Sequence, residues 1–186
     1  MRNFYLRLTD QPINRLVAII LIAYSVFILI ILIVFVPTSS LISDTGYSTS
    51  DLQQATNSEE VELILGAWEG ILSIVYFQYL GDFIFLFSGL LGNTAIFVLL
   101  GKKIKEYGSI LLPFVGFFMV FLSRGADALE NTLTLLIIAF PDYYPKLILS
   151  ILPAVPIVKF TFVGIVYLLI IINLFYFILL RWKITT

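Results

Sequence analysis

Long apolar segments separated by short polar ones set the pattern of the chain. The first covers residues 16–36, with no charged side chain. At about 1.5 Å per residue such a helix is about 30 Å long, the thickness of a bilayer core. Pro37 predicts its end. A signal peptide is the rival reading, since residues 1–15 are basic, but an h-region is about 7–15 residues long and no A-x-A cleavage site follows. An uncleaved helix is expected. The second segment, 71–101, has Asp82 as its only charge and is expected to span at about 76–100. The third, 109–140, is interrupted only by "SRGADALEN" and is expected to span at about 109–138. The fourth is uncharged over 160–180. Pro153 and Pro156 break its approach, and its span is expected at about 157–180. "PDYYPK" (141–146), with proline at both ends, predicts a turn. No internal repeat of the kind found in secondary transporters is present.

Between the first two segments lies a polar stretch. Thr56 and Glu59 have capping-box spacing, so a helix is expected from near Asn57 or Ser58. Acids at 59, 60, 62 and 69 against apolar residues at 61, 64, 65, 68 and 71 make it amphipathic. It is expected to lie on the membrane surface, with Trp68 at the interface and Gly66 and Gly70 at a bend before the chain turns inward. Ser88 and Gly92 in the second segment form a small-xxx-small pair that admits a neighbouring helix. The fold class expected is all-α: one membrane domain over 1–186, a four-transmembrane-helix bundle with an extra amphipathic helix on the outer surface.

Composition narrows the class further. The chain is 60% hydrophobic and 12% charged, with mean hydropathy +1.05, against about a quarter charged for a soluble domain. Cysteine and histidine are both absent. That excludes disulfides, thiolate and imidazole metal sites, haem ligation and serine–histidine catalysis. No cofactor and no metal are expected. The charges are also segregated. Arg2, Arg7, Arg15, Lys102, Lys103, Lys105, Arg181 and Lys183 flank the segments on one side. On the other, outside the helices, Lys146 stands alone with Asp44, Asp51, Glu59, Glu60, Glu62, Glu69 and Asp142. The positive-inside rule then puts both termini in the cytoplasm of an integral cell-membrane protein and residues 38–70 outside. This segregation gives no reason to expect a nucleic-acid partner.

The chemistry-bearing residues are the charges within the apolar segments. At 100° per residue, Ser123, Arg124, Asp127, Glu130, Asn131 and Thr134 share a face roughly 120° wide, with Leu129, Leu133 and Leu135 outside it. A charge at the bilayer centre costs about 2.5–3.5 kcal/mol, so that face must meet protein or a cavity. Helix direction puts Asp82 and Lys159 at the same depth, in the outer half. Asn93 and Asn173 extend the lining inward on the same geometry.

Asp82 in "GDFIFLF", D-x-x-E-N in "DALEN", "AFP" ending at Pro141, and "VKF" with Lys159 resemble a group of uncharacterised small prokaryotic membrane proteins with four helices. The likeness covers roughly residues 59–180. It implies that Asp82, Asp127, Glu130, Asn131, Pro141 and Lys159 are motif positions. Arg124 is not among them, and no activity comes with the likeness.

The expectation is a multi-pass protein that binds or helps move a small polar, ionic or lipid ligand through a charged pocket. The ligand-binding or ion-pair cluster is Asp82, Arg124, Asp127, Glu130, Asn131 and Lys159, with Asn93, Ser123, Thr134 and Asn173 as lining. Two alternatives stand: a structural subunit whose charges only fix helix packing, and a lipid-modifying enzyme using the Asp127/Glu130 pair. With no catalytic motif in sight, the balance leans away from an enzyme. Expected partners are membrane lipids and either further copies of the chain or another membrane protein.

Overall fold

Helical structure does not stop at Pro37. In a computed structural model, which describes residues 1–185 with side chains through Trp182, α2 (Ile13–Ile30) runs through a π turn (Ile31–Phe35) into α3 (Val36–Ser43). Proline has no N–H to give to the preceding turn, and its ring crowds the carbonyl four residues back. A wider turn just before it absorbs both defects, and Pro37 then sits in the first turn of α3, where no donor is needed. Lys183, counted above among the basic residues, lies outside the described side chains.

No strand occurs among the described residues. Four helical stretches are long and apolar enough to cross a membrane: Ile13–Ser43, Ser58–Lys105, Leu111–Ala139 and Leu147–Trp182. Within them, α6 (Leu72–Lys105), α7 (Leu111–Ala139) and α9 (Val155–Thr185) pack on one another, and α2 flanks this core along α6. Small residues set the distances. A Cβ on Gly81 would lie 2.6 Å from Val34, and one on Gly92 would lie 3.0 Å from Tyr24. Ser88 faces α2 beside them, but its hydroxyl donates to Phe85 O in its own helix, at 2.8 Å. On the opposite side of α6, Phe97 lays its ring where a Cβ of Gly116 would be.

Residues 1–15 are more than a basic tail. They contain α1 (Arg2–Thr9), whose Tyr5 is wholly buried. Tyr5 lies over Gly101, stacks its ring edge near Phe114 and Phe117, and donates its hydroxyl to Phe97 O at 2.8 Å. The Lys102 ammonium donates to Thr9 O (3.3 Å) and Gln11 O (2.9 Å), carbonyls left free where α1 ends.

The polar stretch holds two short helices, α4 (Thr49–Gln54) and α5 (Ser58–Trp68). Ser48 and Asp51 form a full capping box on α4. α5 is capped by Asn57, whose side chain accepts from Glu60 N at 2.9 Å, so the capping pair lies one residue on from Thr56 and Glu59. The helix is amphipathic, but its apolar edge turns to protein. Val61, Ile64 and Trp68 are buried with Leu52, Ala55, Val75, Ile137, Ile148 and Leu152. Trp68 is therefore a core residue and not a surface anchor. A 3-10 turn at Glu69–Ile71, which contains Gly70, then passes the chain into α6.

That cluster forms one end of the core. A second, around Phe97, Phe117, Val120 and Val166, forms the other. Asp82 of α6, the polar stripe of α7 and Lys159 of α9 fall between them. Gly116→Ala should lower the melting temperature in detergent, since overpacking costs about 1–3 kcal/mol. Gly125→Ala, where an added Cβ meets nothing within 4 Å, should leave it unchanged or raise it by helix propensity alone. Equal shifts for the two variants would contradict this account of the α6–α7 seam.

Candidate functional site

All six polar residues of the α7 stripe are buried, from 0% exposure at Asn131 and Thr134 to 7% at Arg124, while Leu129 is 48% exposed. Helical spacing does this work: residues three and four apart share a face, and here that face meets α6 and α9.

Within the stripe, Arg124 Nη1 lies 3.3 Å from Asp127 Oδ2 one turn further on. The guanidinium fits because position 89 of α6 is glycine: a Cβ there would lie 2.7 Å from Nη2. From α9, Lys159 Nζ reaches Asp127 Oδ1 at 2.7 Å and Glu130 Oε1 at 3.1 Å. That same Glu130 oxygen accepts from Gln53 Nε2 of α4 at 2.8 Å. One carboxylate thus joins α4, α7 and α9.

Asp82 completes the group from α6. It faces Asn131 without reaching hydrogen-bond geometry, and it lies within electrostatic reach of Asp127, Glu130 and Lys159. Among the described residues it has no ion-pair partner. Tyr79, on the same helix, adjoins Thr134 and Gln53. Several buried polar atoms here have no partner in the protein: Tyr79 Oη, Arg124 Nε, Glu130 Oε2, and both amide atoms of Asn131. Buried groups of this kind are uncommon in native folds.

The cluster is covered at the α4 end. Gln53 lies over Glu130, and Leu52 and Ala55 hold α4 down in the apolar cap. The carboxylate of Asp51 accepts from Ser48 N at 2.6 Å and Ser48 Oγ at 2.7 Å, which holds it below the usual carboxylate range. The hydrogen bond from Thr56 N does the same to Glu60. Both acids therefore stay ionised at their helix starts, where negative charge suits the dipole. A cavity of about 240 Å³ lies on the outer side of this cover, between Tyr47, Asp51, Gln54, Glu60 and Leu63.

Not every expected residue joins the cluster. Asn93 accepts from Tyr24 Oη at 2.7 Å and so ties α2 to α6. Asn173 donates to Leu169 O in its own helix, near the Phe117 end of the core. Thr134 donates back to Glu130 O at 2.8 Å, and Ser123 is buried on the same stripe. Sequence reasoning missed Gln53, Tyr79 and Gly89. The Ser48–Asp51 spacing could have flagged α4, but nothing local links Gln53 to a residue 77 positions away.

Compared with protein-family models, with curated proteins and with solved structures, the chain matches none. Of the positions that carry the resemblance noted above, Asp82, Asp127, Glu130, Asn131 and Lys159 converge in this cluster, and Pro141 lies in the turn after α7.

Lys159→Met should destabilise the protein by about 3–5 kcal/mol, because it leaves buried Glu130 without a cation and Asp127 with Arg124 alone. Adding Glu130→Gln should recover part of that loss in thermal unfolding. A Lys159→Met protein as stable as the native one would show that the ammonium is not what balances the two acids.

Proposed function

We propose that this is a multi-pass membrane protein whose acidic cluster takes up one extra positive charge, as a proton or a small cation. The observation that carries the reading is a charge count. Asp82, Asp127 and Glu130 meet only Arg124 and Lys159, and Asp82 is the acid left without an ion pair. Asp82 is half-buried by the protein, between helices apolar enough to cross a membrane, and an excess carboxylate in such surroundings is costly until it gains a counter-charge. The unpartnered Glu130 Oε2 and Asn131 Oδ1 add two acceptor oxygens to the cluster. Access is from the side of residues 38–70, under α4, with Gln53 as the latch on Glu130. By the distribution of basic residues that side is the outside, and both termini are cytoplasmic. The resemblance to small prokaryotic four-helix membrane proteins fits the same residue set.

The competing reading is a purely structural network, favoured by the close contacts of Lys159 with two carboxylates. Asp82→Asn separates the two. In detergent, the melting temperature of the native protein should rise by several degrees with one of Na⁺, K⁺ or Ca²⁺, or with falling pH, because a ligand stabilises the state that binds it. Asp82→Asn should start higher and lose that dependence. Melting indifferent to cations and to pH in both proteins would leave only the structural network.

Access can be tested apart from binding, because the chain has no native cysteine. In a Thr134→Cys protein, an impermeant maleimide should react slowly with the buried thiol and at least tenfold faster once Gln53→Ala is added. Equal rates would mean that α4 is not the cover.

A further inference from the structure

Away from the charged cluster, the seam between α2 and α6 is incompletely filled on its outer face. One apolar groove of about 260 Å³ runs between Ile22, Val26, Ile84 and Phe87. A second of about 260 Å³ continues from it, since Ile19 and Leu91 line both, and it ends at Gln11 and Arg15. From Arg15 to Val26 the groove follows α2 for about 16 Å at the helical rise. That length accommodates most of one acyl chain.

The two ends differ in chemistry. The Val26 end is apolar but for Ser88, whose hydroxyl is turned back to Phe85 O. At the other end the Arg15 side chain is exposed and donates one hydrogen bond, to Gln11 Oε1 at 2.8 Å. A guanidinium carries five N–H donors in a planar fork that suits phosphate. The Lys102 ammonium shares Gln11 with it, donating to Gln11 O and Thr9 O. Both walls of the groove belong to helices long and apolar enough to cross a membrane. An apolar track along two such helices, ending at two cations on the side of the basic flanks, is complementary to a lipid tail under an anionic head.

We propose that this groove binds one anionic phospholipid, with an acyl chain along Ile19 and Leu91 and its phosphate held by Arg15, Lys102 adding to the local charge. The site is separate from the acidic cluster and does not depend on what that cluster binds.

Native mass spectrometry of the intact chain from mild detergent tests the assignment, with phosphatidylglycerol and phosphatidylcholine of identical acyl chains added in equal amounts. Phosphatidylglycerol should be retained at least tenfold over phosphatidylcholine. Arg15→Gln should bring the two to parity, and Arg7→Gln, an equal charge change on an exposed residue of α1, should not. Leu91→Trp, which fills the groove, should reduce retention of both lipids; Ile22→Trp serves the same purpose if that variant does not fold. Equal retention of the two lipids by the native protein, or a preference untouched by Arg15→Gln, overturns the proposal. So does a dimer that Leu91→Trp abolishes, since the groove would then hold a second copy of the chain.

Discussion

A single ammonium group, Lys159 Nζ, closes the core of this molecule. It touches one carboxylate at 2.7 Å and another at 3.1 Å, both on the neighbouring helix and both almost fully buried. Charges in such surroundings interact strongly but lose their hydration, so the balance turns on geometry. The geometry here is shared. Asp127 also takes Arg124, Glu130 also takes Gln53, and through them the ammonium fixes the register of α7 against α9 and the seat of α4. Moving α9 by one residue would swing Lys159 away from this face and leave Asp127 with Arg124 alone and Glu130 with no cation.

Glycines on α6 do the complementary work. A helix that must admit α2 on one side, a guanidinium on another and a tyrosine ring at its end needs space in three directions. Gly81 gives it to Val34 of the π turn, Gly92 to α2, Gly89 to Arg124 and Gly101 to Tyr5. None of these positions has a special backbone conformation; the only positive φ among the described residues is at Gly46. Their value is the missing side chain, as is common where helices approach closely in membranes.

The helical segments and the α7 stripe could be read from the sequence because each is local: charge-free length for the first, a 3.6-residue period for the second. The convergence of Asp82, Asp127 and Lys159 could be read too, since helix direction alone puts them level with one another along the bundle. What failed had a non-local cause. Pro37 was expected to end a helix, but a π turn absorbed it. Trp68 carries the composition of an interface anchor, yet protein and not lipid covers it, because α5 folds back onto Ile137 and Leu152. Asn93 and Asn173 were placed by angle alone and found nearer partners, Tyr24 and a backbone carbonyl. Gln53, sitting in a stretch that reads as linker, reached the cluster only because the chain folds over it.

The order of the partners along the chain has a consequence for assembly. Asp127 and Glu130 are made about thirty residues before Lys159. Until the last helix arrives, α7 carries two inward acids with only Arg124, one turn away, to offset them. A helix in that condition is a poor occupant of hydrocarbon, so α7 and α9 are expected to settle as a pair, with the turn 141–146 between them. The charged stripe therefore keeps an excess of negative charge until residue 159 has joined it. A chain halted before residue 159 would carry, in effect, its own marker of incompleteness.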